Sequence, residues 1–185
     1  VQLNLQKLPK KLENKFGSGL LQLFYCTTVT DDVICECDCD AWEPFSPVHL
    51  TRIVQLNGMP GNPSKIPQPS FPAKQITAWQ MTYDYPGWEE ASENLGVSIS
   101  QKEYEQLEKG EIQNTPFFGD KLSGWPAWIQ GIEYPACPVC GEAMELVLQL
   151  DSEDNLPYMF GDVGCGHITQ CPTHGDQLGF GWACG

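Results

Sequence analysis

The chain has 185 residues and a mass of 20.6 kDa, and 41% of its residues are hydrophobic, enough for one sizeable core or two small ones that share an interface. Ten basic against 24 acidic residues give a net charge of −14, which repels phosphate backbones and anionic membranes and favours basic partners. No apolar run approaches the ~20 residues that cross a bilayer, and no basic, then apolar leader opens the chain, so a soluble protein that binds neither nucleic acid nor membrane is expected.

Nine cysteines, an odd number in tight groups, suit ligand thiols in a reducing compartment better than a secreted disulfide framework, which places the protein in the cytoplasm. The sequence starts at Val1 directly on an alternating segment, "VQLNLQKLP", and a native N-terminal segment is expected to precede it. That alternation predicts a half-buried strand, as do "GLLQLFYC" (Gly19 to Cys26), "LTRIVQL" (Leu50 to Leu56) and "QITAWQMTY" (Gln75 to Tyr83). Five prolines between Gly58 and Lys74 remove ladder donors and predict a connection.

In "YDYPGWEEASENLG", Asp84, Glu89, Glu90 and Glu93 stand beside Tyr83, Tyr85 and Trp88. The mixture fits either a partner-facing acidic and aromatic surface or solvated carboxylates at a helix edge, the commoner case. Ser100 followed by Glu103 is a capping box, Tyr104 and Leu107 share a face, and Gly110 ends the pattern, so a helix is predicted over 101–109. Two further strands are predicted at "ELVLQLD" (Glu145 to Asp151) and "LGFGWAC" (Leu178 to Cys184). The expected fold is thus a sheet-dominated α+β domain over 1–185, mostly antiparallel, with few short helices. The recurrence of a Leu-Gln-Leu strand followed by an aromatic-rich strand closed by cysteine suggests two similar halves, 1–83 and 119–185, joined by a helical linker region 84–118.

Cys137 and Cys140 in "YPACPVCGEAMELVLQLD" admit three readings: a redox pair, a disulfide or half of a metal site. A redox pair belongs at the start of a helix, whereas a turn into a strand follows here; a disulfide across so small a loop gains little and does not suit the cytoplasm. "CPTH" repeats the spacing with Cys171 and His174, 30 residues on. Three thiolates and one imidazole make a closed, structural tetrahedral site for zinc, with Cys165 and His167 of "GCGHI" as competitors for one pair. Cys165, His167 and Asp162 can be assembled as nucleophile, base and orienter, but residues two apart on a strand do not face each other. "DSEDN" lacks the glycine a calcium loop requires at its sixth position, where Leu156 stands. Cys35, Cys37 and Cys39 would share one face of a strand, where Cys26 could complete a second four-thiolate set, or they are simply reduced thiols of a hairpin. His49 stands alone and reads as an ordinary packed or surface residue, and Trp125 and Trp128 read as core.

The segments "VQLNLQKLP", "GLLQLFYC", "WEPFSPVHLTRIV", "GDKLSGWPAWIQ" and "CPVCGEAMELVLQLDSEDNLPYMFGDVGCGHITQCPTHGDQLGFGWACG" resemble the YwqG-like family of bacterial proteins, whose function is unknown. A more distant likeness, through the Gly-Trp-Pro, the cysteine pair and Leu-Gln-Leu, is to the programmed cell death protein 2 group. The sequence departs from the family at Ser123, where relatives carry glycine, and in lacking the lead segment. The resemblance implies protein binding, like that of immunity proteins or of a chaperone for a basic ribosomal protein. The combined expectation is a non-enzymatic, zinc-stabilised domain for a basic protein partner, anchored by aromatics such as Trp88, Trp125 or Trp128; the alternative is a metal- or thiol-dependent enzyme built on the C-terminal cysteines and histidines.

Overall fold

The computed structural model describes residues 1–27, 39–55, 71–98, 100–109, 116–152 and 154–185. Two antiparallel sheets carry the fold. The first is formed by β1 (Gln2–Asn4), β2 (Leu20–Tyr25) and β3 (His49–Val54), in the order β1-β2-β3. The predicted opening strand stops at Asn4, whose side chain accepts from the Gln6 N–H at 3.0 Å and turns the chain into a single 3-10 turn, Leu5–Lys7. In β2, Leu21 and Leu23 point inward, while Gln22 lies on the outer face between Gln2 and Arg52, bonded to them at 2.9 and 3.0 Å.

The second sheet contains β4 (Lys121–Leu122), β5 (Glu145–Asp151), β6 (Cys165–Gln170) and β7 (Leu178–Ala183), in that order. Between the sheets lies the core, in which Leu3, Leu5, Phe16, Leu21 and Leu23 meet Leu148, Leu150, Phe160, Ile168 and Phe180. Tyr25 closes one end, with the rings of Tyr158, Phe160 and Phe180 each 5.6–5.7 Å away in edge-on contact.

Alternation along a strand sends Gln149 to the opposite face from Leu148 and Leu150. That face is covered too. Gln149 is fully buried; its carbonyl accepts from the Ala127 N–H at 2.8 Å, and its amide donates to the Phe117 and Gly119 carbonyls at 3.2 and 2.9 Å. Residues 117–119 and 124–128, on either side of β4, therefore form a third layer over β5 and β6, whose side chains are buried on both faces. On the far side of β7, the Phe180 and Trp182 N–H groups donate to Pro44 and Trp42 at 3.0 and 3.2 Å. Gly181 permits this approach, since a Cβ there would lie 2.9 Å from the Trp42 carbonyl.

Among the described residues there are two short α-helices, α1 (Trp88–Leu95) and α2 (Gln101–Glu108). The capping box before α2 is present: Ser100 Oγ accepts from the Glu103 N–H at 3.3 Å, and the Glu103 carboxylate accepts from the Ser100 N–H at 2.7 Å. Gly110 lies outside the described residues, as does most of the proline-rich connection. The predicted strand Gln75–Tyr83 is not formed. Its residues have no ladder partner among the described residues, and Ile76, Met81 and Tyr83 are exposed, Tyr83 to 88%.

Candidate metal centre

Cys137 opens a tight turn held at its base by an Ala136–Ala143 bridge. Inside it the Cys137 N–H donates to Glu142 and the Gly141 N–H to Cys137, both at 2.8 Å, and Gly141 takes φ +77°, a left-handed conformation suited to glycine. The turn feeds straight into β5. Cys171 follows the last residue of β6, and its loop closes through Cys171 N–H to Gln177 at 3.0 Å and Gln177 N–H to His174 at 2.8 Å. Because Glu145 at the start of β5 pairs with Gln170 at the end of β6, the hairpin sets the two turns side by side. The 30-residue spacing is the length of that hairpin.

The four side chains converge, with one ligand atom from each of Cys137, Cys140, Cys171 and His174 within 4.8 Å of the others. Cys140 Sγ lies 3.7 Å from Cys171 Sγ, and His174 Nδ1 lies 3.7 Å from Cys171 Sγ and 4.0 Å from Cys137 Sγ. Two sulfurs also accept backbone hydrogen bonds, Cys137 from Val139 at 3.5 Å and Cys171 from His174 at 3.2 Å. Desolvation raises the Cys137 thiol, but the N–H groups of Cys140 and Val139 and the adjacent Cys171 and Cys140 outweigh it and bring it down to about 7. Cys137 and Cys171 are buried with Met144, while Cys140 is exposed. Such a group could hold a tetrahedral metal ion with every position filled by protein, leaving none for substrate.

Cys165 and His167, the competing pair, are placed elsewhere. Both are buried on β6 and share the face that Gln149 lines, with Gln149 opposite His167 in the register. Burial, with Asp151 nearby, pushes the Cys165 thiol up to about 12, and burial next to Lys121 brings His167 down to about 3. At neutral pH that leaves the thiol protonated and the imidazole neutral but only weakly basic, which suits neither nucleophile nor proton acceptor, and Asp162 is exposed on a turn. Of the proposed second cysteine group, Cys35 and Cys37 lie outside the described residues; Cys26 and Cys39 are half-buried. His49 packs on the Phe180 ring at 5.4 Å and meets the Glu43 carbonyl at 2.8 Å. The carboxylates of "DSEDN" hold a loop: Asp151 accepts from Gly119 and Asp154 from Asp120, at 3.0 and 2.7 Å.

Two of the carboxylates read as partner-facing or solvated, Asp84 and Glu90, instead organise the third layer. Asp84 accepts from the N–H groups of Phe117 and Trp125 at 2.6 and 2.8 Å and pairs with the buried Lys121 ammonium at 3.1 Å. The Gly-Trp-Pro segment, Gly124 to Pro126, is its receptor, for a Cβ on Gly124 would lie 2.3 Å from the Asp84 carboxylate. Glu90 is not one of the solvated carboxylates; it is only 1% exposed and accepts a hydrogen bond from the Tyr134 hydroxyl. Desolvation raises its carboxyl, which the Tyr134 contact partly offsets. Trp128 is half-buried between Tyr134 and His167, with ring centroids 4.9 and 4.8 Å away.

Two antiparallel sheets with a few short helices define a sheet-dominated α+β fold that carries a three-cysteine, one-histidine group at the end of one hairpin. The chain belongs to a family described as a domain of unknown function, DUF1963, which matches residues 1–171. It is also similar to an uncharacterised protein, YpfL, of Salmonella typhimurium, with 47% identity over 34 residues. That match takes in 18% of this chain and 8% of the relative, so the chain spans under a tenth of that relative's length. Among the described residues no helix is long and apolar enough to cross a membrane.

Proposed function

We propose that the chain is a single zinc-stapled domain of the YwqG-like type, made of halves 1–83 and 119–185, which acts in the cytoplasm by binding a basic protein. The observation that carries the zinc assignment is the spacing of the donor atoms. Zn–S bonds of about 2.3 Å and Zn–N bonds of about 2.0 Å at tetrahedral angles imply S···S of about 3.8 Å and S···N of about 3.5 Å. The contacts of 3.7, 3.7 and 4.0 Å lie close to those values. Four protein ligands and no open position make the role structural: the ion ties the turn that starts β5 to the loop that ends β6.

The binding reading is supported by the net charge and by the exposure of Met81, Tyr83, Tyr85 and Trp88 along the segment that Asp84 fastens to the third layer. Acidic charge would speed encounter with a basic partner, and the aromatics would supply short-range anchors. Elemental analysis of protein purified without added metal tests the zinc assignment. One zinc per chain, lost to a chelator together with ordered knuckle resonances, is expected; a metal-free chain with freely reactive Cys137 and Cys140 overturns it. Capture of a basic partner that weakens with salt, and is abolished by Trp88→Ser and Tyr83→Ser, tests the surface.

A further inference from the structure

The four ligands differ sharply in what can reach them. Cys137 and Cys171 are 2% and 1% exposed and pack on Met144, itself 1% exposed. Cys140 sits at the open tip of its turn, beside Val139, which is 60% exposed, and residues 138–143 are all exposed. The sulfur nearest to Cys140 across the two loops is Cys171 at 3.7 Å. A small oxidant therefore meets one sulfur first, with a shielded second sulfur already at contact distance behind it.

We propose that Cys140 is an oxidative modification site whose product is a Cys140–Cys171 disulfide, formed by hydrogen peroxide with expulsion of the metal. The metal half rests on the zinc reading above; the pairing of the thiols does not. The Cys140 thiolate attacks one peroxide oxygen, breaking the O–O bond, releasing hydroxide and leaving a sulfenic acid. Cys171 thiolate then attacks that sulfur, forming the S–S bond and displacing a second hydroxide. Two protons from solvent convert both hydroxides to water, and the two electrons lost by the thiolates reduce the peroxide. An ion stripped of two of its four ligands leaves hydrated. The new bond joins the same two loops the ion had joined, so the hairpin of β5 and β6 stays tied while Cys137 and His174 are set free.

The test treats folded, unmodified protein with hydrogen peroxide. Zinc content before treatment is measured by elemental analysis, freed zinc with a chromogenic chelator, thiol pairing by alkylation and peptide mass spectrometry, and sheet content by circular dichroism. The expected result is one zinc freed per Cys140–Cys171 disulfide, sheet signal retained, and reversal by a dithiol with added zinc. A main product linking Cys137 to Cys140, sulfinic acid without any disulfide, or an unreacted Cys140 overturns the proposal. Protein that holds no zinc at the outset overturns the zinc reading and the metal half, while the mapped disulfide still decides the pairing on its own.

Discussion

Acidifying the protein should expose the cost of burying His167. Its imidazole lies within β6 under Trp128 and beside Lys121, so protonating it would place a second cation in a dry layer, and its pKa falls from the ordinary 6.5 to about 3. In the unfolded chain the same group titrates near 6.5. The unfolded state thus binds more protons between these values, and stability declines as pH falls through that window. Integrated from pH 7 to pH 5, the difference is about 2 kcal/mol, a sizeable share of the ~5–15 kcal/mol of an ordinary domain. His167→Phe keeps a ring against Trp128 but cannot titrate. Urea unfolding of both proteins at pH 7, 6 and 5 separates this group from everything else that acid does, including loss of any metal, because those effects are common to both. The wild type should lose about 2 kcal/mol more than the variant. Equal losses would refute the assignment of His167 as a buried neutral base.

Removing Asp84 should be worse than removing the pair. Asp84→Ala takes the counter-charge from the buried Lys121 ammonium, leaving it only the Trp125 carbonyl, and strips two backbone N–H groups of their acceptor; it should cost about 3–5 kcal/mol in urea unfolding, much of it recovered in Asp84→Ala with Lys121→Met. Ser123 adopts φ +62°, so Ser123→Gly should stabilise the protein by about 1 kcal/mol, the opposite of what glycine does in a strand, and thermal unfolding checks the sign.

Where a local pattern and its environment agreed, the sequence was easy to read. Glu145–Asp151 was expected as a strand and is one, residue for residue, and Ser100 with Glu103 caps a helix at the expected place. The two Cys-Pro turns pointed to one site because their spacing is a local property, and the hairpin merely closes it. The failures involve cover supplied from elsewhere in the chain. Leu-Gln-Leu occurs in β2 with Gln22 facing water and in β5 with Gln149 fully buried, and nothing within the tripeptide separates them. Gln75–Tyr83 alternates like a strand but finds no neighbour to pair with. The helix α1 begins at Gly87 without a side-chain cap, so its start gave no signal, and Glu90 looked solvated because Tyr134, its partner, lies 44 residues away. Asp84 was read with its neighbours as a surface or solvated carboxylate because its partners are chiefly backbone N–H groups, which every sequence has.

The chain segment bearing Trp42 and Pro44 has a bearing on how the protein behaves when crowded. An open sheet edge is a template on which another copy can add a strand, and association of that kind grows with concentration. In the second sheet one border is β4, only two residues long, and the other has its Phe180 and Trp182 N–H groups already taken. Neither side offers a growing aggregate more than a short foothold. A second copy adding to this sheet would thus find little free edge among the described residues, and a variant bulky at Gly181, by pushing Trp42 away, would be expected to associate more readily as its concentration rises.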